Sequence, residues 1–502
     1  MRKVVVVGLA SLATLFVVPS RALGASTGAG STLTARQRVQ REYDARHARM
    51  VARGLHPAPA VPVAANTASS RTLAFSTPTF VRRISEDTLP ATGTSEPDTQ
   101  IEPDIAMDPN NSQNVVAVFQ QGRFPDGGSV DPGWATSHDG GHTWKTGNLP
   151  GLTTAVGGPY DRASDPAVAF GPDGAAYAVT LPFDNPTCPG GVGINRSDDG
   201  GLTWNNPVFL QRDTSCGVFD DKEWVAVDTF PASPFFGRVY VAWDRSTTSG
   251  QPIVLKYSDD RGQTWSSLIT VSNAGAGTIG ARPVVLPNGD LAMVYENFGI
   301  NKQVSQTSTN GGSSFGASVS INSIQSSDPP DQRAGSDLPS AAVDPVTGDI
   351  YVVWGDTRFR SDGVNDAVIS KSTDEGHTWS ALSRANQDSL TDGISHLTPA
   401  VAADGGFVHV TYLTRAKVSG TYVNRLNERY IVSGDGGQTF GGELVLGPNI
   451  NLRWAAQAGG KLLGDYMGVA ASADAAHAVW CRSSKPPIQE QYHQTAWSGT
   501  VA

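Results

Sequence analysis

Cysteine, methionine and charge are all scarce in this sequence: three Cys, five Met and only 17% charged residues among 502. Three thiols without a Cys-x-x-Cys pair exclude a cysteine-rich zinc module and a dense disulfide scaffold. Lys and Arg are outnumbered by Asp and Glu, and the formal net charge of −10 argues against nucleic acid as a partner. No Gly-rich phosphate loop occurs. Gly-x-Ser-x-Gly occurs at Gly24–Gly28 and Gly312–Gly316, neither in the strand-to-helix setting of a nucleophile elbow. Long apolar runs are missing too, except at Val4–Val18. That run follows Arg2 and Lys3, is broken by Pro19 and Ser20, and leads to the small-residue stretch Ala22-Leu23-Gly24-Ala25. Its 15 residues are short of the roughly 20 that span a bilayer. The pattern is that of an export signal over residues 1–24, predicting a secreted, extracellular protein with no membrane span.

What is plentiful is Gly (55) and Pro (32), which suits short strands and tight turns and predicts an all-β fold. Residues 25–70 differ from the rest. Thr34–Gly54 is rich in helix formers, but Val39, Tyr43 and Met50 make only a weak apolar stripe, predicting an exposed or marginal helix. His56–Ser70 reads as a Pro/Ala/Ser linker, and a pro-region is conceivable.

From residue 71 to 502 the chain repeats. SHDGGHTW (Ser137–Trp144), SDDGGLTW (Ser197–Trp204), SDDRGQTW (Ser258–Trp265), STNGGSSF (Ser308–Phe315), STDEGHTW (Ser372–Trp379) and SGDGGQTF (Ser433–Phe440) start 60, 61, 50, 64 and 61 residues apart. In each, Asp139, Asp199, Asp260, Asn310, Asp374 or Asp435 can accept backbone N–H bonds of a turn, while Gly supplies positive φ. The closing aromatic is expected to pack between blades.

A hairpin precedes each box, as in Asp165–Thr180, Leu338–Trp354 and Thr398–Tyr412, with alternating apolar residues around Asp-Gly or similar turns. Seven such hairpins start near Ile101, Asp165, Glu223, Ala281, Leu338, Thr398 and Asp465. The period fits one four-stranded propeller blade. Seven blades are favoured over six, with the N-terminal strand-like segment Thr79–Ile84 closing the ring.

These boxes resemble those of the sialidase (neuraminidase) superfamily of Asp-box, or BNR-repeat, β-propellers. The resemblance implies that the boxes are structural turns on the face opposite the active site. It also implies six blades as the usual number, and an N-terminal Arg-Ile-Pro signature that Arg82-Arg83-Ile84-Ser85 matches only in part. By this resemblance the protein is an exo-α-sialidase-type glycoside hydrolase acting on an acidic glycan, without a cofactor. Tyr466 takes the nucleophile's place, Glu223 its activating carboxylate and Asp104 the acid/base. Arg83, Arg245, Arg358 and Arg415 are the candidates for gripping a sugar carboxylate through planar, two-pronged hydrogen bonds.

Three functions stay open at this point. One is the sialidase-like hydrolase. Another is a non-catalytic propeller binding a glycan or protein, and a third is a polysaccharide lyase with His396 or a Tyr as base. The polar residues at the inner-strand starts, among them Glu102, Asp165, Lys222, Arg333 and Asp465, serve equally well as Arg–carboxylate ties between blades. Cys188 and Cys216 are expected to form a disulfide, leaving Cys481 as a buried thiol. His138 and His142 share a Gly-rich turn and give no zinc site, so no metal is assigned. The Asp/Gly-rich loop Pro125–Gly133 is compatible with a structural calcium but has no complete ligand pattern. The partner expected is a glycan or glycoconjugate, met by a monomer.

Overall fold

The alternating segments pair as antiparallel strands in chain order. Phe219–Val227, Val239–Ser246, Ile253–Ser258 and Ile269–Thr270 form one four-stranded sheet. Three more are Thr278–Val285 to Val319–Ser323, Ser340–Val343 to Ser383–Arg384, and Ile394–Asp404 to Gly441–Asn451. The segments from Glu96–Asp108 to Val208–Asp213 join Gly468–Ala471, Ala476–Ser483 and Gln494–Val501 in a continuous 12-stranded sheet. Phe80–Arg83 pairs antiparallel with Gln494–Val501, Phe80 lying opposite Thr500. The arrangement is a β-propeller in which five blades are distinct.

This computed structural model describes residues 33–62, 78–486 and 492–502. The expected export signal and most of the linker lie outside them. Thr34–Ala502 forms one compact unit, and no helix among the described residues is long and apolar enough to cross a membrane.

The boxes show why their residue types recur. In Ser258–Trp265 the Asp260 carboxylate accepts from Ser258 Oγ at 2.8 Å, Thr264 N at 2.8 Å and Thr264 Oγ1 at 2.6 Å. Arg261 and Gly262 are both left-handed (φ 61° and 81°), a pair of conformations that only glycine adopts freely. Asn310 keeps the geometry by reversing one bond, its Nδ2 donating to Ser314 Oγ at 2.8 Å. The boxes also fasten neighbouring blades: Thr136 Oγ1 donates to the Gly200 carbonyl and Ser305 Oγ to that of Gly376. Trp265 packs into a cluster containing Tyr177, Val225 and Trp243 from two sheets, as its apolar area requires.

Each box follows the third strand of its blade, whereas each inner strand begins at the other end. Chemistry carried by inner-strand starts is therefore remote from the boxes.

Candidate functional site

One irregularity repeats along the inner strands. Strand register shifts between Ile101 and Asp104, Ser164 and Ala167, Asp221 and Trp224, Ile279 and Arg282, and Leu397 and Ala400. Inside these bulges Glu102, Asp165, Lys222, Gly280 and Thr398 have φ of 52°, 50°, 50°, 72° and 52°. Left-handed backbone costs a residue other than glycine roughly 1–3 kcal/mol. Such strain in three charged residues marks a site held in place by its surroundings.

The three side chains converge. Lys222 Nζ lies 3.2 Å from Glu102 Oε1, 3.2 Å from Asp165 Oδ2 and 3.0 Å from Asp465 Oδ2. Asp465 also accepts from Arg333, with Nε at 2.8 Å. Gln120 Nε2 bridges Glu102 and Asp165. Burial, then the nearby Asp165 charge, pushes Glu102 up to about 8. For Asp165 burial acts in the same direction, but Lys222 and hydrogen bonds including that from Ser164 hold it well below the usual carboxylate range. Asp465 is likewise held down against burial, by Arg333 and Lys222.

Two residues further along three inner strands stand Asp104, Trp224 and Arg282. The Arg282 guanidinium sits 3.3 Å from the Trp224 ring centre and 5.5 Å from that of Tyr466. Tyr466 meets Trp224 edge-on, and its hydroxyl donates to the Pro166 carbonyl at 2.9 Å. Glu223 is 1% exposed and neither of its oxygens has a hydrogen-bond partner. Burial, reinforced by Asp165, pushes its pKa well up. Burial pushes Asp104 up to about 7, although Val168 N donates to it at 2.9 Å. The expected catalytic trio is thus buried around the Trp224–Arg282 stack, but Tyr466 bonds to a carbonyl rather than to Glu223.

The four expected arginines do not form a carboxylate clamp. Arg245 is taken by Asp213 (2.8 Å) and Asp220 (2.7 Å), Arg358 by Asp356 (2.8 Å) and Arg415 by Asp331 (2.7 Å). Arg83 Nε donates to the Ser85 carbonyl at 2.8 Å. Arg245, Arg358 and Arg415 reach across to Asp213, Asn322 and Asp331, ties of the kind the same residue types also fit, whereas Arg83 bonds within its own segment. His396 is engaged by other residues, its Nδ1 3.0 Å from the Asn365 carbonyl and its Nε2 3.3 Å from Asp388 Oδ2. In the loop Pro125–Gly133, Asp126 pairs with Arg162 and Asp131 accepts from Thr153.

The helix departs most from expectation. Helix α1 (Ala35–Leu55) packs one face on the propeller and leaves the other exposed. Thr34 and Gln37 form a reciprocal capping box, and Ala35, Val39, Arg46 and Met50 are buried. Its N-terminus is tied to the loop of the Cys188–Cys216 disulfide, with Ala35 N donating to Cys216 O at 2.7 Å and Arg38 Nη2 to Gly217 O at 3.0 Å. Midway, the Tyr43 ring lies 4.3 Å from the Arg333 guanidinium and 5.8 Å from Lys222 Nζ. Arg46 pairs with Glu296 and, at 2.9 Å, with Asp337. Arg53 donates to Ser326 O at 2.7 Å. Near the end, Gly54 fits so closely that a Cβ there would stand 3.1 Å from Gly363 O. The partners that bury α1 lie hundreds of residues away, so its own weak stripe did not announce them. Cys481 is a buried free thiol, as expected.

No protein-family model and no curated protein matches this chain. Among solved structures it is similar to a Hadza microbial sialidase, with 17% identity and a TM-score of 0.46 over 63% of this chain and 64% of the sialidase. The chain thus spans just under two thirds of that protein's length. It is also similar to the intramolecular trans-sialidase of Ruminococcus gnavus (14% identity, TM-score 0.46, 65% of this chain and 92% of that one). A third similar structure is an α-L-arabinanase of Penicillium chrysogenum (11% identity, TM-score 0.42, 82% and 98%).

Proposed function

We propose that the protein is a secreted propeller glycoside hydrolase whose active site is the cluster around Lys222. The observation that supports this is a pair of carboxyl groups, Glu102 and Asp165, each 3.2 Å from one lysine, with opposite influences on their protons. Glu102, pushed up to about 8 by burial and Asp165, keeps its proton at neutral pH. Asp165, held low by Lys222 and its hydrogen bonds despite burial, stays ionised. Glycosidic cleavage needs both: an acid to protonate the leaving oxygen and an anion to stabilise the cationic sugar or activate water. The neighbours' chemistry agrees with a hydrolase acting on a glycan or glycoconjugate.

A sialidase-type version of this reading uses the deeper layer, with Tyr466 as nucleophile, Glu223 as its base and Asp104 as acid. Its support is that these three are buried together around Trp224 and Arg282; the dispersed arginines weigh against it. In the same spirit we count seven blades, taking the 12-stranded sheet as three, with Phe80–Arg83 completing the last. No cofactor is assigned, and a monomer is expected.

The test is turnover of a fluorogenic panel containing a sialoside, an arabinoside and an amino-sugar glycoside. Glu102→Gln should lower turnover by roughly 10²–10⁴-fold, the usual share of general acid catalysis. Tyr466→Phe should leave it intact unless the sialidase-type version holds. No release from any substrate, including by variants with α1 displaced, would leave the non-catalytic binding propeller as the reading.

A further inference from the structure

We propose that α1 is a plug on the mouth of this site, and that Glu296 and Asp337, which grip its Arg46, are a subsite for the free amine of an amino sugar. The inference rests on the glycosidase reading for the glycan, and on the helix contacts for the plug.

Position comes first. Tyr43 covers the cluster itself, lying between α1 and the Arg333, Lys222 and Asp465 groups. The space left beneath the helix is slight: one cavity of about 30 Å³ is lined by Tyr43, Arg46, Arg333 and Asp465, and another of about 70 Å³ by Val39, Tyr43, Glu102 and Lys222. A monosaccharide does not fit while the helix is seated.

The contact is also of a kind that can open. Ala35–Leu55 carries six Arg against one Glu and one Asp, and it meets the propeller largely through arginines on carboxylates and carbonyls. Its buried apolar side chains are few, Ala35, Val39 and Met50. No strand pairing includes it, and a Pro-rich segment joins it to the propeller. Polar contacts rather than a packed apolar seam hold such an interface.

The substrate class follows from what the helix neutralises. Among the described residues, the ion-pair partners of Glu296, Asp337 and Asp328 all come from α1: Arg46 for the first two, and His47 at 3.3 Å for the third. Arg46 is only 4% exposed there, so the two carboxylates already enclose a cation. With α1 gone they line the space it leaves beside the catalytic cluster, where a cation can take the place of Arg46. Such a pair attracts an ammonium group and repels the carboxylate of an acidic sugar.

The test uses the full chain, Arg46→Ala and the triple variant Arg46→Ala/Glu296→Gln/Asp337→Asn. Hydrogen exchange across residues 35–55 should speed up at least tenfold in Arg46→Ala, while strand Ile350–Asp356 keeps its protection. Calorimetry should show Arg46→Ala binding a β-1,4-linked glucosamine trimer at least tenfold more tightly than the wild type does, and tenfold more tightly than the N-acetylated trimer. The triple variant should lose that preference. Unchanged helix exchange overturns the plug; a freed helix without preference for the amine overturns the subsite. Binding without hydrolysis overturns the hydrolase reading alone. If Arg46→Ala does not fold, Arg38→Ala/Arg53→Ala, which removes the bonds to the Gly217 and Ser326 carbonyls, decides the plug: exchange should rise across 35–55, and unchanged exchange overturns it.

Discussion

Lys222 and Asp465 are joined by a buried ion pair of 3.0 Å, linking the bulge of one inner strand to the turn before another. Lys222 pairs with Asp165 likewise and lies 3.2 Å from the Glu102 carboxyl, so a single ammonium holds three strand starts together. Its charge persists despite burial because these acids surround it.

Lys222→Met should therefore be severe. It leaves buried carboxylates without their common counter-charge, a change that costs about 3–5 kcal/mol when one partner of a buried pair is removed. Urea denaturation at neutral pH measures it. A loss within error of zero would mean that the three acids share protons rather than depend on Lys222.

The pH dependence of stability has a definite sign at Glu102. Its pKa is raised from 4.5 to about 8 in the fold by burial and Asp165, so the folded state binds the proton more tightly than the unfolded one. That contribution is complete below about pH 4.5 and is lost as pH rises through 8. Asp165 and Asp465 have lowered values and act oppositely, losing their contribution as pH falls below the ordinary carboxylate range. Glu102→Gln should flatten the decline in unfolding free energy between pH 5 and 8, read from denaturant curves. An unaltered slope there refutes the assignment.

Glu223 and Glu428 make a matched pair. Both are buried and both have two carboxyl oxygens without hydrogen-bond partners, yet only Glu223 adjoins Tyr466. Replacing either by Gln exchanges a buried ionisable group for an unpartnered amide, so the melting temperature should shift alike in both variants. If Glu223 serves catalysis, only Glu223→Gln should lose turnover. Equal activity in the two variants would make Glu223 a structural residue.

In the boxes, Asp260→Ala should cost about 1–3 kcal/mol by removing the hydrogen bonds that its charged carboxylate accepts from Ser258 and Thr264. Glycan binding should be unchanged, because the box lies at the strand end away from Lys222. Thermal melts and calorimetry on the same sample separate the two effects. Asp260→Asn should be milder, since Asn310 already fills that place in the fourth box.

Much of the fold was legible in the sequence because it rests on local chemistry. A box needs Ser, Asp and Thr within reach of one turn, and Gly where φ is positive; a hairpin needs alternation and a turn. These requirements repeat within a few residues, so they can be counted along the chain. The Cys188–Cys216 bridge was legible for a related reason, two cysteines flanking one repeat in a chain with an export pattern.

The site was legible only as a set of strand starts. Nothing local distinguishes Lys222, which gathers three acids, from Arg245, which is taken by Asp213 and Asp220. Convergence depends on which inner strands face one another, and on bulges that put Glu102, Asp165 and Lys222 in left-handed backbone. The sequence by itself determined the strands, the turns and the repeat. Tertiary structure alone decided that α1 lies over the Lys222 cluster, because Glu296 and Asp337, which bury Arg46, are brought to it only when the sheets assemble.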